Sequence, residues 1–156
     1  MKRRSLLTVT AVTLSGGCLA SLGDVSGGSQ YIVNREFTEY QPESDGFERA
    51  PGPTDKPTVS FESESKQVVV RGALFVGSSQ CHRADLKDVS YDATSKTLTV
   101  RVGSGDTSNS GNSCTADESA DAYRLVVTMK ERLPETFRVE QIDDPSAKST
   151  TVERAR

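Results

Sequence analysis

No tryptophan occurs among the 156 residues, histidine occurs once, and aromatic residues make up only 6% of the chain. The missing tryptophan removes the central ring around which true immunoglobulin domains pack. The single imidazole, His82, has to serve as the base of any serine triad, and no G-x-S-x-G nucleophile turn accompanies it. No apolar run approaches the roughly 20 residues that cross a bilayer as a helix, which excludes a polytopic helical membrane protein. Cysteine is scarce as well, with three residues, an odd number that becomes informative below. The length fits one domain of ordinary size with room for an export signal and a tether.

What is present begins with an address. Lys2, Arg3 and Arg4 precede a mildly apolar run from Ser5 to Leu14, and the small residues Ser15, Gly16 and Gly17 lead into Cys18. This is the three-part plan of a secretory signal. The run holds three Thr, one Ser and three Leu. Paired arginines ahead of so soft a core resemble a twin-arginine signal, the route for chains exported already folded. Small residues ending in a cysteine resemble a lipobox, where the thiol is lipidated and becomes the new N-terminus. The expected location is then the outer face of the cytoplasmic membrane, with the membrane as partner through lipid on Cys18. The alternative is cleavage after Ala20, which gives a soluble secreted protein. Removing the signal takes three of the 19 bases and none of the 22 acids, so the formal charge of −3 becomes 16 − 22 = −6. Such a surface repels phosphate backbones, and no nucleic-acid partner is expected.

The chain divides on composition. Residues 1–17 read as signal peptide and 18–30 as the anchor cysteine with a Gly/Ser-rich tether of flexible coil. Residues 31–57 hold a candidate first strand, Tyr31 to Phe37, and a loop from Gln41 to Pro57 that carries four of the six prolines. Residues 58–153 form the body, where apolar residues recur with period two. Val68, Val70, Leu74 and Val76 share one face, with Val69, Ala73 and Phe75 on the other, as in a strand buried on both sides. Leu98, Val100 and Val102 alternate with polar residues, as do Tyr123, Leu125, Val127 and Met129, and then Phe137 and Val139. Polar turns separate these runs, and no stretch has a helical period. The pattern predicts an all-β fold, an antiparallel β-sandwich of about seven strands, immunoglobulin-like in broad architecture.

Three cysteines would strand one thiol in an exported chain. With Cys18 lipidated, Cys81 and Cys114 remain as a pair, and an exported chain sits where disulfides persist. Their bridge would close a loop of about 34 residues, worth roughly 3–4 kcal/mol by loop entropy. The alternative is a metal-handling or redox protein in which Cys81, His82 and Cys114 act together, since such soft ligands suit copper or zinc. No second histidine completes that shell, and adjacent residues on an extended chain point opposite ways.

Catalytic motifs fail one by one. Gly72 to Ser79 has the spacing of a phosphate-binding loop, but Ser78 stands where the lysine must be. Ser63 to Lys66 has the serine–lysine spacing of penicillin-recognising enzymes, yet it lies between two strands and reads as a charged hairpin turn. Asp117, Glu118 and Asp121 lack the ligand spacing of a calcium loop. The expectation is a chain without catalytic residues or cofactor, with no metal site unless the cysteines make one. It would not be an enzyme.

The ordered features resemble those of uncharacterised haloarchaeal secreted lipoproteins. They are the twin-arginine start with SGGCLA, Gly72, Gly77 to Cys81, Ala84 and Leu86, Tyr91 with Asp92, Leu98 to Val102, and Cys114. A strand containing Tyr123, then Leu133 and Pro134, completes a likeness spanning Val68 to Val139. The resemblance implies a cell-surface location and a two-cysteine β fold, and it brings no catalytic residues. The function expected is a binding or structural one at the cell surface, toward an unidentified protein or small molecule. Loops carry such sites more often than strands. The candidate loop residues are Ser78, Ser79, Gln80, His82 and Arg83, with Ser104, Asp106, Asn109 and Asn112 from the Gly103–Ser113 loop.

Overall fold

A computed structural model describes residues 30–40, 50–107, 113–142 and 147–155. The signal, Cys18, most of the tether, part of the proline-rich loop, Asn109 and Asn112 lie outside the described residues. Eight strands follow one another: β1 (Ile32–Glu39), β2 (Thr58–Glu62), β3 (Gln67–Gly77), β4 (His82–Asp92), β5 (Thr97–Asp106), β6 (Ser119–Met129), β7 (Thr136–Ile142) and β8 (Ala147–Glu153).

They build two four-stranded sheets, in the orders β1-β6-β3-β2 and β4-β5-β7-β8. The all-β sandwich read from the alternation is the fold observed. It differs in two details. Strand β8 is an eighth strand that alternation does not mark, because Ala147–Glu153 carries a single large apolar residue, Val152. One pairing is parallel, with Thr97 of β5 opposite Thr136 of β7. The chain crosses to the first sheet for β6 and returns, so β5 and β7 run the same way.

Period two decides what the sheets enclose. Val68, Val70, Leu74 and Val76 of β3 and Tyr123, Leu125, Val127 and Met129 of β6 are buried in one cluster. Val89 of β4, Leu98, Val100 and Val102 of β5, and Phe137 and Val139 of β7 join them from the second sheet. Each such side chain contributes about 1.5–3 kcal/mol relative to leaving it in water. The reverse side of β3 is apolar as read, with Val69 and Ala73 buried and Val69 opposite Val126. A buried polar side chain links the sheets: Gln141 donates from Nε2 to the Ala73 carbonyl at 2.9 Å and to Tyr123 Oη at 3.1 Å, tying β7 to the opposite sheet. Gly72 makes room for it, since a Cβ there would lie 2.6 Å from Tyr123 Oη.

Strand β1 pairs with β6, Phe37 lying opposite Leu125 and stacking on Tyr123 with ring centroids 5.4 Å apart. The candidate first strand is therefore a member of the first sheet. The strand ends define two poles. The N-terminal pole holds Tyr31, the β2–β3 and β4–β5 turns, the β6–β7 loop and the end of β8. The two turns finish on left-handed residues, Lys66 (φ 53°) and Lys96 (φ 52°). Ser63–Lys66 is thus a hairpin turn, as the sequence suggests. The opposite pole holds the β3–β4 turn, the end of β5 and the start of β6.

Candidate functional site

The predicted ligand residues gather at the second pole, around a disulfide. Cys81, buried, and Cys114, exposed, are bonded with their Cα atoms 5.7 Å apart. The bridge places the chain in an oxidising, extracellular setting. Ahead of it Gly77 adopts φ +89°, a left-handed conformation that favours glycine, and ends β3 just after a register shift between Phe75 and Gly77. Main-chain N–H groups of Cys81 and His82 both donate to the Ser78 carbonyl, at 3.2 and 2.9 Å, closing the turn.

Around this turn polar groups answer one another. The hydroxyls of Ser78 and Thr115 lie 3.0 Å apart. Ser79 donates its N–H to Asp117 at 3.2 Å, and the Thr115 hydroxyl donates to the same carboxylate. Those bonds, the Thr115 hydroxyl above all, hold the Asp117 carboxyl down at about 2. Thr107 donates its N–H to the Cys81 carbonyl at 2.8 Å and its hydroxyl to the Gln80 carbonyl at 3.2 Å. Arg83 folds back onto the carbonyls of Ser79 and His82. Ser104 and Ser119 donate to the carbonyls of Val76 and Gly77. His82 Nε2 lies 3.4 Å from Asp106 Oδ1, its cross-strand neighbour.

The structure brings Ser78, Ser79, Gln80, His82, Arg83, Ser104 and Asp106 together, and gives several of their polar groups structural work. His82, Arg83, Ser104 and Asp106 belong to strands β4 and β5 rather than to loops. The sulfurs of Cys81 and Cys114 are bonded to each other, and among the described residues no group of three or more His, Cys, Asp or Glu could hold a metal ion.

A second arrangement, at the N-terminal pole, is invisible in the sequence. Tyr31 and Tyr91 meet with ring centroids 5.2 Å apart and planes tilted by 60°. They border a cleft of about 320 Å³ whose other walls are Ala93, Lys96, Met129, Glu131 and Arg132. The Lys130 N–H donates to the Tyr31 carbonyl at 2.9 Å, and Lys96 pairs with Glu135 at 2.6 Å, fixing both sides. Burial pushes the Tyr91 hydroxyl up from its ordinary value, against the opposing pull of Arg132 and Lys96. Residues 31, 91 and 132 have no shared motif; only the sheet order makes them neighbours. The one available signal is the scarcity of aromatics, which makes any aromatic pair notable.

Comparison with protein-family models, with curated proteins and with solved structures finds no match.

Proposed function

We propose that this chain is an extracytoplasmic β-sandwich that serves a binding or structural role, without catalysis, at the outer face of the cytoplasmic membrane. A lipid on Cys18 holds it there. The observation that carries the reading is the Cys81–Cys114 bridge in a chain of three cysteines. With that pair closed, the remaining thiol is the one that ends a signal-like segment. The likeness to haloarchaeal secreted lipoproteins supports the same location. Strand β1 begins at Ile32, so a chain tethered through residues 18–30 has its N-terminal pole toward the membrane and its bridged pole away from it. A coil of that length has a root-mean-square span of about 20 Å, enough to clear the headgroups.

Membrane retention tests this reading. Two lipid chains give durable anchoring, each buried CH₂ contributing about 0.8 kcal/mol. The protein should stay with membranes through washes that strip ionic contacts, and protease added to intact cells should remove the domain. Cys18→Ser should end lipid-dependent retention, leaving the chain released or held by an uncleaved signal. Protection of the domain until the cells are lysed would overturn the location.

A further inference from the structure

The cleft at the N-terminal pole has the makings of a ligand site. Its volume of about 320 Å³ lies at the small end of the range of small-molecule sites. The Tyr31 and Tyr91 rings are tilted by 60°, so they offer faces and edges to a body with C–H surface, not a parallel slot for a flat ring. Met129 extends this apolar side. Two cations, Lys96 and Arg132, and one carboxylate, Glu131, line the cleft as well. Lys96 is engaged by Glu135, whereas the Arg132 guanidinium forms no ion pair with any described residue. The Arg132 side chain is exposed, and its backbone is held by the buried Leu133 and Pro134 that follow, where Arg154 donates to the Pro134 carbonyl at 3.1 Å. With Lys96 paired to Glu135, the Arg132 guanidinium is the lining cation left to meet an anionic guest. A neutral guest leaves the guanidinium without its natural bidentate partner.

We propose that this cleft binds an acidic sugar, a pyranose whose C–H face rests on Tyr31 and Tyr91 and whose carboxylate or sulfate pairs with Arg132. The Tyr91 hydroxyl supplies a donor, and Glu131 supplies an acceptor for ring hydroxyls. The proposal deepens the binding-module reading and rests on it for where the ligand is met. The same chemistry is offered by a free polysaccharide and by a glycolipid headgroup at the membrane surface.

The absence of tryptophan allows tyrosine emission to report on the site. The mature chain in detergent is titrated with a tetrasaccharide of alternating glucuronate and N-acetylglucosamine, and with neutral cellotetraose. The acidic probe should bind at least about ten-fold more tightly, and Arg132→Gln should remove that preference. Tyr31→Ala should weaken binding while Tyr31→Phe retains it. Vesicles with and without a glucuronosyl diacylglycerol separate the sources: capture of the vesicles beyond the affinity for the free sugar assigns the headgroup, and equal affinity assigns the polysaccharide. Equal affinity for acidic and neutral sugars, no binding of either, or an unchanged Arg132→Gln variant would overturn the proposal. Those outcomes leave the surface location to stand or fall on membrane retention alone.

Discussion

At the bridged pole Ser78 meets Thr115, Ser79 and Thr115 share Asp117, and Ser104 and Ser119 satisfy the carbonyls of β3. At the N-terminal pole Tyr31 and Tyr91 meet each other, and Arg132 faces a cleft. The bridged pole is built from chain with little apolar surface to bury, so its long connections are fixed by a covalent bond and by hydrogen bonds. The N-terminal pole is fixed from beneath by Met129, Leu133 and Pro134, which frees its upper side chains. A stretch rich in Ser, Gly and Asp can thus use its polar groups in place of a core.

If that contrast holds, the largest effect comes from cutting the bridge. Cys81→Ser and Cys114→Ser should each lower the unfolding free energy by roughly 3–4 kcal/mol in urea denaturation without reductant. The double variant should lose little more than either single one, since one bond is removed. Additive losses would show two independent cysteines.

A smaller loss should follow at the same pole from Asp121→Ala. The Asp121 carboxylate accepts the Ala84 N–H at 2.7 Å in a half-buried position. Leaving that donor unanswered costs about 1–2 kcal/mol, and Asp121→Asn, which keeps an acceptor, should cost less. Equal stability of Asp121→Ala and the parent protein would mean that this bond contributes nothing.

The poles should also differ in what pH does to them, with the smallest effects of the series. Asp117 is held at about 2, below its ordinary 3.8, so its bonds favour the folded state above pH 4 and that advantage fades as pH falls toward 2. Asp117→Asn should flatten this part of the acid unfolding curve. Tyr91, raised above its ordinary 10.0, acts at the other end of the scale. Below pH 10 both states keep its proton; above it the unfolded chain ionises first, so stability falls as pH rises. Tyr91→Phe should remove a step above pH 10 from the near-ultraviolet titration of tyrosinate, and an unchanged titration would refute the burial of that hydroxyl.

Much of the sandwich is legible in the sequence where hydrophobic alternation is strong. Val68 to Val76, Leu98 to Val102, Tyr123 to Met129 and Phe137 with Val139 each mark a strand that is observed, because every second residue faces the other sheet. Strand β4 escapes the reading. Ala84 and Leu86 face inward, then a register shift between Leu86 and Asp88 changes the phase, and Val89 and Tyr91 face inward instead. A bulge of this kind breaks a period-two pattern without breaking the strand. The same edge position explains why His82 and Arg83 read as loop, for an edge strand carries charge to discourage pairing with other chains. The cysteine pair is legible from parity and spacing. The tyrosine cleft is not, since it depends on β1 pairing with β6 and on β4 closing over them from the other sheet, and no local pattern encodes that order.

In the proposed arrangement one cysteine anchors the chain while the other two brace its far pole. The intact mass of the protein extracted from membranes without reductant tests both halves at once. The expected species begins at a lipid-modified Cys18 and lacks residues 1–17, with Cys81 and Cys114 in a single cross-linked peptide after digestion. An unmodified chain that begins at Ser21, or free thiols at both positions 81 and 114, would contradict it.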